Sequence, residues 1–169
     1  MGRWFKVKKD LKWEFADSRV EESEIKNFGA KLGIEFPDEY IECVKINGGA
    51  IVSPSEFDVQ GNERMFGCLY SFDKSSSENI YDAYDSRKET LPEGIIPFAN
   101  DPAGNLICFD YKNHEEDPIV VFWEHEDAWE KEALMESEGI TAEEAEEVAR
   151  ENVFYVASSF TEFLNKLHD

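Results

Sequence analysis

Ile95-Ile96-Pro97-Phe98-Ala99-Asn100-Asp101-Pro102-Ala103-Gly104-Asn105-Leu106-Ile107-Cys108-Phe109 is the stretch that decides the fold. Two apolar runs, Ile95–Phe98 and Leu106–Phe109, flank a segment with turn chemistry. Asp and Asn side chains bond nearby backbone, Pro presets φ, and Gly takes conformations other residues resist. The flanks are therefore expected to pair as a hairpin, with Asp101, Gly104 and Asn105 building its turn. A third β-rich run, Ile119-Val120-Val121-Phe122 within Pro118–Trp123, follows a polar connection at 113–117. Upstream, Met65 to Phe72 alternates, which predicts a strand with Phe66, Cys68, Tyr70 and Phe72 on one side.

Helical patterns lie on both sides of these strands. Ile25, Phe28 and Leu32 recur at helical spacing before Gly33. Pro37 suits the first position of a second helix, Asp38 and Glu39 suit its positive end, and Asn47-Gly48-Gly49 stops it. The C-terminal third is expected to be helical. Thr141 with Glu144, and Ser159 with Glu162, have capping-box spacing, and Phe160, Phe163, Leu164 and Leu167 form one apolar stripe. Helices, then strands, then helices predict an α+β domain, not a βαβ alternation. Its strands are expected to form an antiparallel sheet.

The chain has 169 residues, a length expected of one domain (1–169) with its own core. Its 38 acidic residues against 17 Lys and Arg give a formal net charge of −21. That charge disfavours direct binding to nucleic acid or to an anionic membrane surface. With 41% hydrophobic and 14% aromatic residues the chain is expected to fold despite it. Cys43, Cys68 and Cys108 are far apart, odd in number and set in apolar runs. They read as buried thiols, not as a disulfide framework or zinc site. The N-terminus lacks a signal-peptide core, and no run approaches a membrane span. A cytoplasmic location is expected. The first thirteen residues form a locally basic arm, with Arg3, Lys6, Lys8, Lys9 and Lys12 against Asp10.

Catalytic chemistry has little footing. His114, His125 and His168 form no HExxH and no short His/Cys ligand set, and His168 is expected at a frayed end. Asp101, Asn105 and Asp110 do not have calcium-loop spacing. Asp101 and Asp110 as a hydrolase pair is a reading that any carboxylate-rich chain would offer. No metal, cofactor or catalytic residue is assigned.

From His114 to Glu151 there are fifteen acids against two bases, Lys131 and Arg150. Glu115, Glu116 and Asp117 precede the third β run; Glu124, Glu126 and Asp127 follow it, with Trp123 and Trp129 among them. Aromatics within a charged rim are typical interface anchors, and an anionic face steers a basic partner. These eight residues are the candidate partner-binding set. The opposing reading is a solvated helix face with Trp123 in the core.

Four segments together resemble the SUKH superfamily, which includes yeast cell-wall assembly regulators and bacterial toxin-immunity proteins. They are Phe36-Pro37-Asp38-Glu39-Tyr40 leading to Asn47-Gly48-Gly49, Ile96–Asn105 continuing through Ile107–Tyr111, Val120–Glu126, and Ala157–Leu164. The match spans roughly 20–167 in order. The basic arm falls outside it, and the acidic stretch from Glu126 to Glu151 is longer than expected there. The resemblance implies an α+β fold with a central twisted antiparallel sheet and flanking N-terminal and C-terminal helices, with no general catalytic residues and no cofactor. It also implies neutralisation of a cognate toxin, expected to be nuclease-type with a basic surface, by direct binding. An intracellular scaffold or regulator without a toxin partner is the alternative it leaves.

Overall fold

The structure, a computed structural model, describes residues 10–169. Arg3, Lys6, Lys8 and Lys9 of the basic arm lie outside the described residues. Lys12 begins a short strand, β1 (Lys12–Glu14), paired with β2 (Ile51–Ser53).

The predicted hairpin is the centre of the molecule. β5 (Ile95–Asn100) and β6 (Leu106–Asp110) pair antiparallel, and β7 (Ile119–Trp123) follows on β6. A fourth strand, β8 (Val153–Ala157), completes the sheet in the order β5-β6-β7-β8. Its assignment corrects the expectation of an all-helical C-terminal third. Ile96, Phe98, Ile107, Phe109, Val120 and Phe122 belong to one face of the sheet. Tyr40 of α2 (Asp38–Asn47) packs on Phe109 at 5.0 Å, and Phe160 of α6 (Phe160–Asn165) packs on Phe98 at 5.5 Å. Phe98 stacks on Phe109 with centroids 4.4 Å apart. Burying each such ring contributes on the order of 2–3 kcal/mol. The opposite face carries Leu106, Cys108, Asp110, Val121 and Trp123. Arg87 of α3 (Ile80–Arg87) lies over the Trp123 ring, and Arg150 of α5 (Ala142–Arg150) reaches Asp110. Both faces are covered, so β6 is buried at every position.

The helices begin where the sequence places them. α1 (Glu22–Leu32) ends at Gly33, whose φ of 75° is the left-handed cap that Gly tolerates best. Pro37 sits one position earlier than expected, as the extended N-cap of α2. At α5, Thr141 and Glu144 form the full reciprocal box; α4 (Lys131–Glu138) precedes it. At α6 the box is shifted. Ser159 Oγ accepts from the Glu162 N–H, but the Glu162 carboxylate accepts from Ser158 N–H and Oγ.

Phe66–Phe72 is not a strand. It runs irregularly beside β5, with Gly67 N–H donating to Asn100 O, Asn100 N–H to Cys68 O and Tyr70 N–H to Phe98 O. Leu69 also donates to Ala50 O and accepts from Gly49 N–H. Both sides of the segment are engaged, so its apparent alternation does not mark an open face. β3 (Glu56–Val59) and β4 (Asn62–Met65) form a separate ribbon just before it.

All three cysteines are reduced thiols; Cys68 and Cys108 are buried and Cys43 is half-buried. Burial raises the Cys43 and Cys68 thiols to about 12 and the Cys108 thiol well above its ordinary value.

Candidate protein-interaction surface

β7 divides the candidate acidic set. Its five residues make a strand about 17 Å long. Glu115, Glu116 and Asp117 are exposed before its start; Glu124, Glu126, Asp127 and Trp129 follow its end. One continuous patch in the sequence thus becomes two groups in space.

The first group faces the start of α2. Glu35, Asp38, Glu39, Glu116 and Asp117 line a cleft of about 500 Å³ whose lining also includes half-buried Pro37 and the buried Phe36 and Pro118. Five carboxylates line it, and among the described residues no Lys or Arg does. Burial raises the Glu39 carboxyl above its ordinary 4.5, with the charges of Asp38 and Asp117 acting in the same direction. Such a wall is arranged to receive cationic groups, with apolar surface beneath to hold their stems. Glu35, Asp38 and Glu39 were absent from the sequence-based set. About eighty residues separate them from Asp117, and only the fold joins them.

The second group lies by the hairpin turn. Glu124 is half-buried and pairs with Arg64 at 3.7 Å. Glu126 and Asp127 are exposed, and Trp129 is 59% exposed. Trp123 requires a correction. It is 0% exposed and packed within the core, so its ring has no surface to offer a partner.

Asp101, Gly104 and Asn105 hold this end together. Asp101 Oδ1 accepts from Ala103 N–H at 2.9 Å and Asn105 N–H at 2.8 Å, while Oδ2 accepts from Asn105 Nδ2 at 3.0 Å. Asn105 Oδ1 in turn accepts from His125 N–H, and His125 Nε2 meets Ala103 O at 2.9 Å. Gly104 has a φ of 90°, which a side chain would resist. Asp110 stands at the far end of β6, tied to Arg150. Asp101 and Asp110 are therefore separately engaged and do not form a carboxylate pair.

Comparison with known proteins fits this architecture. The model of the SMI1 / KNR4 family (SUKH-1) matches residues 19–166. The chain belongs to this family. Its α2, β5–β6 hairpin, β7 and α6 lie in the four segments that carried the resemblance, and all of them contribute to the core. A relative in Bacillus subtilis (strain 168), the SPbeta prophage-derived uncharacterized protein YokK, is 26% identical over an alignment covering 61% of this chain and 61% of that protein. The match thus spans about three fifths of the relative's length. Among the described residues, no helix of this SUKH-1 protein is long and apolar enough to cross a membrane.

Proposed function

We propose that this SUKH-1 protein is a non-enzymatic, cytoplasmic immunity protein that neutralises a cognate toxin by covering it. The supporting observation is the cleft between α2 and the β6–β7 connection, where five carboxylates converge with no cationic side chain among the described lining residues. A toxin acting on nucleic acid needs Lys and Arg to hold phosphate. An anionic cleft competes for those same side chains. Exposed Glu115 borders the cleft in sequence, and Glu126, Asp127 and Trp129 offer a second contact at the other end of β7, with Trp129 as an aromatic anchor. Mechanism is occlusion: long-range attraction speeds encounter, and close packing excludes the toxin's substrate.

The test is protection against the toxin encoded beside this protein, together with co-purification of the pair. Asp38→Lys with Asp117→Lys is expected to slow association at least tenfold and to flatten its salt dependence. Equal killing with and without the protein overturns the reading.

A further inference from the structure

His168 is anchored, contrary to the expectation of a frayed residue. Its N–H donates to Glu56 O at 2.8 Å, and its carbonyl accepts from Glu56 N–H at 3.0 Å. It thereby adds a short third rung to the β3–β4 ribbon. Along β3, Phe57 and Val59 are buried, while Asp58 faces outward. Glu63 of β4 is directly opposite Asp58 in the register. Like charges at paired positions repel, so this pair costs the ribbon stability unless something sits between them.

The His168 ring occupies that face. Nε2 lies 3.5 Å from Asp58 Oδ2, an ion pair when the ring is protonated; it makes no hydrogen bond among the described residues, and the atom is shielded from solvent. Nδ1 lies 3.1 Å from the Asp169 carbonyl oxygen. The tautomer that donates Nδ1–H to this carbonyl leaves the Nε2 lone pair facing the carboxylates. In the neutral ring one imidazole nitrogen thus sits on a backbone carbonyl while the other offers its lone pair, which is how metal-bound histidines are oriented. One donor atom from each of Asp58, Glu63 and His168 lies within 4.8 Å of the other two.

We propose that Asp58, Glu63 and His168 bind a divalent transition-metal cation of the zinc class on the outer face of the ribbon. The ligands are His168 Nε2 and one oxygen from each carboxylate. Tetrahedral coordination with bonds of about 2.1 Å puts ligand atoms about 3.4 Å apart. The Asp58–His168 spacing already meets this, and exposed Glu63 closes the remainder by side-chain rotation. Mixed imidazole and carboxylate donors suit zinc, cobalt, nickel or manganese, whereas calcium favours six or more oxygens. A bound cation cancels the repulsion between Asp58 and Glu63. It also ties β3, β4 and the segment after α6 into one unit, with a fourth position left for water.

Isothermal titration of the full chain with Zn²⁺ at pH 7.5 tests the assignment, with Co²⁺ absorption as a second readout. One equivalent is expected to bind, and Co²⁺ is expected to give visible bands of a four-coordinate centre. His168→Ala and Asp58→Asn are each expected to weaken Zn²⁺ at least tenfold and to abolish the Co²⁺ bands, while His114→Ala leaves both unchanged. Glu63→Gln, an isosteric change at an exposed position, provides an independent arm, and unfolding midpoints in chelator verify that each variant is folded. No Zn²⁺ binding by the parent protein overturns the proposal. So does binding that survives the Asp58, Glu63 and His168 substitutions, including weak multi-equivalent uptake by the acidic surface.

Discussion

Arg150, at the end of α5, grips Asp110 of β6 with both guanidinium arms, Nη1 to Oδ2 at 2.6 Å and Nη2 to Oδ1 at 3.1 Å. Nη2 also donates to Glu93 O at 2.9 Å. The Asp110 side chain is 7% exposed and that of Arg150 23%. One planar cation thus fastens a surface helix to a central strand.

Removing the arginine leaves a buried carboxylate without its counter-charge. Arg150→Ala is expected to lower stability by about 3 kcal/mol in urea unfolding. The double variant Asp110→Asn, Arg150→Met is expected to be more stable than Arg150→Ala alone, because no orphan charge remains.

The hairpin turn gives a second prediction. Asp101→Ala removes the acceptor of the Ala103 N–H and leaves the N–H and side-chain amide of buried Asn105 without theirs, and is expected to cost about 2 kcal/mol. Gly104→Ala is expected to cost about 1 kcal/mol or more, since its backbone has positive φ and the new Cβ would meet His125 Nε2 at 3.3 Å. Thermal unfolding of both variants measures these losses.

The two tryptophans beside the acidic groups should behave oppositely. Trp123→Ala is expected to cost about 4 kcal/mol through lost burial and the resulting cavity. Trp129→Ala is expected to change stability by less than about 0.5 kcal/mol, as exposed positions do. Its effect is expected in partner affinity instead. Chemical denaturation separates the pair.

Glu39 gives a pH prediction of definite sign. Its folded-state carboxyl is raised above the ordinary 4.5. The native protein therefore binds the proton more readily than the unfolded chain does, and the residue opposes folding above its raised value. That penalty fades as pH falls through the folded value and is gone below about 4.5. Glu39→Gln is expected to stabilise the protein at pH 7 and to lose that advantage by pH 4, measured as the difference in urea midpoints.

Glu146 has the opposite sign. Burial opposes its charge, but hydrogen bonds from Lys131 and the Glu93 N–H, with the charges of Lys131 and Arg150, hold its carboxyl below 4.5. Its contribution is fully present above 4.5 and is lost as pH falls through the lowered folded value. Lys131→Met is expected to reduce that acid-dependent loss in a stability profile from pH 6 to pH 2.

The hairpin, β7 and the helix caps were legible because their signals are local: a turn sequence, a β-branched run, a Thr three residues before a Glu. β8 was not. Val153-Phe154-Tyr155-Val156-Ala157 is a short apolar run between helical patterns, and periodicity alone does not separate such a run from a helix. Phe66–Phe72 failed the other way. It alternates in sequence, but contacts with β5 and with Gly49–Ala50 bury both sides. The surface was the least legible. Nearness in sequence grouped Asp117 with Glu124, whereas the fold separates them along β7 and sets Asp117 beside Asp38. His168 was misjudged because its anchor, Glu56, lies more than a hundred residues away.

The three cysteines have a consequence for handling and for habitat. Thiols raised by burial to about 12 stay protonated near neutrality. Alkylating reagents and mild oxidants therefore find almost no nucleophile to attack. Covalent dimerisation through these thiols is correspondingly disfavoured, in oxidising as in reducing surroundings.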